Sequence, residues 1–222
     1  MLVDLKTLLD EALRGRHGVA AFNVYGYEEA RAVVDAAEEL GSPVVLAASP
    51  TCLRFLPLEI TAPMLTAIGR AAAVPVCVHL DHGPDLAAVV AALDLGFTSV
   101  MFDGSTLPLD ENVAATRHVV AAARARGASI EAAVGHVPGP GPSARRLADP
   151  TDPDAAGRFV GETGIDALAV SIGTIHHLEE PAAEIDWGRL AAIEGVVDLP
   201  LVLHGGSGVT DGDLRRLAAT SV

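Results

Sequence analysis

Lysine is almost missing from this chain of 222 residues: Lys6 is the only one, and 15 basic residues face 29 acidic ones, for a formal net charge of −14. With a pI near 4.8, the chain has no clustered cations with which to grip phosphate backbones, so nucleic acid is excluded as an expected partner. Cysteine is equally scarce. Cys52 and Cys77 are the only two, they show no CxxC spacing, and they are too few for a disulfide framework, which fits a reducing cytoplasm. No apolar run reaches transmembrane length, and the opening MLVDLKTLLDEALRGRHG is charged and amphipathic rather than signal-like. The expectation is a soluble, cytoplasmic protein with no membrane partner. A glycine-rich GxGxxG turn is also absent after the first strand-like run, where the sequence reads AFNVYGYEEA.

What is present is a regular alternation. Strand-like runs occur at VAAFNV (19 to 24), PVVLAAS (43 to 49), PVCVHLD (75 to 81), TSVMFDG (98 to 104), ASIEAAV (128 to 134), DALAVSIG (166 to 173) and PLVLHGG (200 to 206). They are nearly continuous in Val, Leu, Ile and Ala, as parallel strands buried on both faces are. Helical periodicity separates them, near 26 to 40, 59 to 72, 84 to 95, 109 to 126, 153 to 163, 187 to 196 and 211 to 220. Half of the residues are hydrophobic, enough for a sizeable core, so residues 1 to 222 read as a single α/β domain. Seven successive βα units predict a (β/α)8 TIM barrel whose eighth unit is missing from this chain; C-terminal truncation is the favoured reason, the alternatives being an open barrel, which would leave strand edges unpaired, or one completed by a partner chain. A doubly wound open sheet is the alternative, disfavoured by the missing glycine-rich turn.

Three strings place a histidine just past a strand-like run: HLDHG (79 to 83), GTIHH (173 to 177) and LHGGSG (203 to 208). Strand C-termini gather at one face of such a barrel, so His82, His176 and His204 can meet at one metal ion, with Asp81 and Asp103 on the same face. A lone strand-end histidine is commonly a hydrogen-bonded structural residue; three in this pattern point to a metal. Three imidazoles leave a position open on the ion, as in a catalytic Zn²⁺ site that polarises a carbonyl. Gly205, Gly206, Ser207 and Gly208 precede a helix starting near Asp211, a turn that is either ordinary or able to bring backbone N–H groups to a phosphate. Metal and phosphate together suit enolate chemistry beside a ketone. The other route to an enolate equivalent, a Schiff base on a buried lysine, has no residue here but Lys6, ahead of the first of these runs.

The ordered set AFNV, SPVVLAAS, VPVCVHLDHG, FTSVMFDGS, SIEA, TDP, TGIDALAVSIGTIH and VDLPLVLHGGSG resembles the class II, metal-dependent ketose-bisphosphate aldolases of the fructose and tagatose type, over essentially the whole chain. The resemblance implies a (β/α)8 fold, Zn²⁺ on His82, His176 and His204, and Asp81 as proton donor to the aldehyde-derived oxygen in cleavage. It implies that Gly205, Gly206 and Ser207 hold the phosphate of dihydroxyacetone phosphate and that Asn23 and Ser49 line the substrate site. Asp103 and Glu131 match acidic positions near the metal. Further implied are a role in carbohydrate metabolism such as glycolysis and a homo-oligomer, dimer or tetramer.

Asp81 also has a plainer reading, as a residue that orients a neighbouring imidazole, and His79 reads as packing. His17, His118 and His136 have no comparable context. Several positions depart from the family pattern. Ala133 stands where a second glutamate is expected, IEAAVGHVPGPGPSARR carries proline and arginine where a mobile acidic loop would supply the base, and His177 replaces a glycine. A strand-eight NxxT-like phosphate loop is not reached. Three readings follow. The first is a zinc-dependent aldolase that cleaves a ketose 1,6-bisphosphate to dihydroxyacetone phosphate and glyceraldehyde 3-phosphate. The second is a metal- and sugar-phosphate-binding relative without aldolase turnover, and the third an aldolase for a different donor or acceptor.

Overall fold

The structure is a computed structural model, described here for residues 1 to 139, 148 to 181 and 183 to 222. It divides into two compact units, the first formed by Met1–Gly15, Val19–Asp103 and His118–Glu131, the second by Arg16–Gly18, Gly104–Arg117 and Ala132–Val222.

In the first unit the chain runs β1 (Leu2–Val3), α1 (Leu5–Gly15), β2 (Ala20–Asn23), α2 (Tyr27–Leu40), β3 (Val44–Ala48), α3 (Pro50–Leu53), α4 (Leu58–Ala71), β4 (Val76–Gly83), α5 (Leu86–Asp94) and β5 (Ser99–Phe102). Helix α6 (Leu109–Arg124) and strand β6 (Ser129–Val134) are each divided between the units. Strands β2 to β5 lie side by side in sequence order, and their pairings are parallel. Parallel neighbours need a crossover, and α2, α4 and α5 supply it. Strands β3 and β5 are buried at every residue. Helix α2 turns Ala30, Val34 and Ala37 inward, and α4 turns Leu65 and Ile68 inward, the three- and four-residue spacing of one helical face.

Two features differ from the sequence expectation. Residues 2 and 3 form an additional strand, β1, which pairs with the start of β4 at Leu2↔Val76 and Val3↔Cys77; β5 joins β4 only from His79↔Ser99 onward. Helix α1 follows, with Leu5, Leu8 and Ala12 buried and the Leu5 N–H donating to Ser129 Oγ at 2.8 Å. Strand β2, expected to be buried on both faces, is exposed at all four residues. It ends the strand order and, among the described residues, pairs only with β3.

The second unit contains the last half of β6, then α7 (Pro153–Thr163), β7 (Ala167–Val170), α8 (Trp187–Glu194), β8 (Leu201–Leu203) and α9 (Asp211–Leu217). Strands β7 and β8 pair in parallel, Leu168↔Leu201 through Val170↔Leu203. The loops into the helices end on capping side chains: Asp152 accepts from the Ala155 N–H at 2.9 Å, Asp186 from Arg189 at 2.9 Å and Thr210 from Asp213 at 3.1 Å. Such caps satisfy N–H groups that the first helical turn leaves unpaired. The Arg216 guanidinium lies 3.7 Å over the Trp187 ring, tying α9 to α8. The Pro- and Arg-rich stretch that stands where a mobile acidic loop is expected falls mostly on residues 140 to 147, outside the described residues.

Candidate metal centre and active site

In the first unit the site is made by an irregularity in β4. From Leu80 to Gly83 the strand advances three residues while β5 advances two, from Val100 to Phe102. The extra residue is absorbed at Asp81 and His82, and His82 takes a left-handed φ of 49°, uncommon for a residue with a side chain. A regular strand would send these two neighbours to opposite faces; a bulge re-aims one of them. Asp81 Oδ1 accordingly lies 3.7 Å from His82 Nε2. Gly83 permits this. A Cβ there would sit 2.5 Å from the Met101 carbonyl oxygen, so β5 can approach only a residue without one.

The His82 ring is then turned by β5. Its Nδ1 lies 2.6 Å from Asp103 Oδ2, and because a carboxylate only accepts, Nδ1 carries the proton. In the neutral ring this leaves Nε2 with its lone pair outward, the carboxylate–histidine pairing typical of metal ligands. Asp81 is buried, 6% exposed, and Asp81 Oδ2 accepts from Asn23 Nδ2 at 2.7 Å. Ser49 caps α3, its Oγ accepting the Cys52 N–H at 3.4 Å.

His79 and Glu131 form a second buried cluster in this unit. His79 Nδ1 lies 2.8 Å from Ser99 Oγ and His79 Nε2 lies 3.5 Å from Glu131 Oε2. The sequence shows no polar partner for His79, expected as packing, and sets Glu131 near a metal; in the structure each has the other as a polar neighbour. A buried strand-centre histidine with a glutamate two strands away is visible only once β5 is known to separate β4 from β6.

In the second unit the residues after β7 and β8 come together. The His176 and His204 ring centroids are 5.8 Å apart, and each offers one ring nitrogen within 4.8 Å of the other's. Gly205 makes this approach possible. Its φ is +72°, and a Cβ would lie 2.8 Å from the carbonyl carbon and oxygen of Ile175, so backbone packs on backbone between the two histidines' loops. Gly206–Gly208 forms one 3₁₀ turn leading to α9, and Ser207 is exposed. His177 adopts φ 55°, a conformation that a glycine takes without strain, and its exposed ring lies 5.9 Å from that of His176. Thr174, one residue after Gly173, is 1% exposed and its hydroxyl has no hydrogen-bond partner among the described residues.

Imidazoles at strand ends, one of them oriented through Nδ1 by a carboxylate, are donors that suit Zn²⁺. The family model for class II fructose-bisphosphate aldolase matches residues 3 to 222. The chain belongs to that family. As a class II aldolase family member it is 40% identical over 213 residues to a fructose-bisphosphate aldolase of Giardia intestinalis, covering 94% of this chain and 66% of that protein. It is 38% identical over 217 residues to a 6-phospho-5-dehydro-2-deoxy-D-gluconate aldolase of Bacillus licheniformis, covering 96% of this chain and 74% of that one. Among solved structures, the YdjI aldolase of Escherichia coli K12 superposes with a TM-score of 0.88 at 32% identity, over 99% of this chain and 78% of that chain. The chain thus spans about two thirds of the Giardia relative's length and about three quarters of the others'. No helix among the described residues is long and apolar enough to cross a membrane.

Proposed function

We propose that this chain is a zinc-dependent aldolase that reversibly cleaves a ketose 1,6-bisphosphate, fructose or tagatose, to dihydroxyacetone phosphate and glyceraldehyde 3-phosphate. The observation that carries the reading is the β4 bulge, which sets an acid beside a histidine whose ring a carboxylate orients. In this proposal His82, His176 and His204 are the ligands of one Zn²⁺, within a (β/α)8 barrel domain. Bound there, the ion supplies a Lewis acid for the ketone carbonyl.

The residues divide the remaining work. Asp103 holds the His82 ring. Asp81 exchanges a proton with the aldehyde-derived oxygen; that oxygen is a hydroxyl before cleavage, so Asp81 accepts in cleavage and donates in condensation, the reverse of the direction expected from the sequence. The backbone N–H groups of Gly205, Gly206 and Ser207 hold the phosphate of dihydroxyacetone phosphate ahead of α9, while Asn23 and Ser49 bound the substrate. The Schiff-base alternative has no support, since Lys6 lies on α1, exposed and paired with Asp10 at 2.6 Å.

A second reading, a sugar-phosphate-binding relative without turnover, is favoured by Ala133, a buried methyl group where the resemblance expects a second glutamate. The Bacillus relative makes 6-phospho-5-dehydro-2-deoxy-D-gluconate a further substrate to try. A coupled assay for dihydroxyacetone phosphate release from this acid and from fructose and tagatose bisphosphates, with and without chelator, separates the readings. Chelator-sensitive turnover on a bisphosphate is expected; turnover on none of the three sinks the aldolase reading. A cytoplasmic homo-oligomer is part of the same proposal, checked by sedimentation.

A further inference from the structure

Behind Asp81 lies a short chain of polar groups that ends at a cysteine. The Asn23 amide has a donor end and an acceptor end, and its partners decide which way it faces. Asp81 Oδ2, 2.7 Å away, can only accept from it, so Nδ2 must face the carboxylate. Asn23 Oδ1 then faces Cys52 Sγ, 3.8 Å away, within reach of a thiol donor. That thiol has one proton. With the proton directed to Asn23, the Ser49 hydroxyl, 3.3 Å from the sulfur, must donate to it, while Ser49 Oγ accepts the Cys52 backbone N–H in capping α3. Every proton in the series is used once: Ser49 O–H to sulfur, S–H to Asn23 Oδ1, Asn23 N–H to Asp81.

Burial makes the sulfur a fixed anchor. Cys52 is 2% exposed, so water does not compete for its proton, whereas Asn23 lies on the exposed strand β2. Burial first, then Cys52, raises the Tyr25 phenol above the ordinary value.

We propose that Cys52 is a positioning residue, which fixes the Asn23 amide so that it holds Asp81 in the orientation needed for proton exchange. This rests on the role given to Asp81 above. Losing one weak neutral hydrogen bond predicts about a three- to fivefold fall in kcat, with KM nearly unchanged.

The test uses the zinc-loaded protein with fructose 1,6-bisphosphate. Cys52→Ala should show that fall in kcat, Cys52→Ser should regain most of it, and in an Asn23→Ala background Cys52→Ala should cost nothing more. A loss that persists in full in the Asn23→Ala background, or a serine no better than alanine, overturns the proposal in favour of packing. Should the unaltered protein cleave none of the sugars, the functional reading fails while this one stays open to measurement. The side-chain amide resonances of Asn23 in ¹⁵N-labelled protein should move in Cys52→Ala and return toward their original positions in Cys52→Ser; unmoved resonances in Cys52→Ala overturn it.

Discussion

Asp103→Ala tests how much the site depends on a residue that is not itself proposed to touch the metal. The bond it removes, Asp103 Oδ2 to His82 Nδ1, is 2.6 Å long, the short length of a charge-assisted contact. Outer partners of ligand histidines are typically worth about 10- to 100-fold in metal affinity. The Asp103 side chain is 23% exposed, so water can take over part of its role and the effect belongs in the lower part of that range. We expect Kd for Zn²⁺ to rise roughly 10- to 30-fold, about 1.4 to 2 kcal/mol. Asp103→Asn, which keeps an acceptor but not the charge, should fall between. Competition with a chromophoric chelator measures the affinity, and the melting temperature of the metal-free proteins controls for folding. Equal zinc affinity in Asp103→Ala and the unaltered protein would refute the carboxylate's role in orienting His82, and with it the tautomer assigned to the ring.

Gly83→Ala would press a methyl group against the Met101 carbonyl oxygen, 2.5 Å away, where only movement of β5 can relieve it. Overpacking of this kind costs about 1 to 3 kcal/mol, and an unchanged melting temperature in thermal denaturation would contradict the close approach. Cys77 on β4 is fully buried and its thiol is pushed from 9.0 up to about 12, chiefly by burial. Below pH 9 the thiol is protonated in folded and unfolded chains alike; above it the unfolded chain releases a proton that the folded chain keeps. Stability is therefore expected to fall steadily between about pH 9 and 12, and Cys77→Ala to lessen that slope in denaturant titrations.

The main strands were legible because β3, β5, β6 and β7 are buried along their whole length, and burial on both faces leaves an unbroken apolar run in the sequence. Strand β1 was not: two residues carry no periodicity, and Leu2–Val3 becomes a strand only because the start of β4 has a free edge beside it. The exposure of β2 was equally hidden, since AAFN has the composition of a buried strand and its surroundings depend on neighbours far along the chain. At the site, histidine spacing singled out His82, His176 and His204 as candidates because strand ends are readable in a parallel α/β sequence. Their orientation was not readable. The left-handed φ of His82 and the offset between β4 and β5 are properties of pairing, and HLDHG reads the same with or without a bulge. A link between Cys52 and the site was not legible because the cysteine lies in a four-residue helix, too short to show a period, with its partner Asn23 on another element.

The extra residue in β4 sets the sheet and the site against each other at one point in the chain. Deleting a single residue between Leu80 and Gly83 would bring β4 and β5 back into step and remove a left-handed histidine, so a search for thermostable variants guided by backbone regularity alone would favour it. It would also part the carboxylate from the imidazole beside it. On the proposed function, the bulge is kept for the chemistry, and it can serve as a marker: relatives that lose it are expected to have lost the aldolase reaction too.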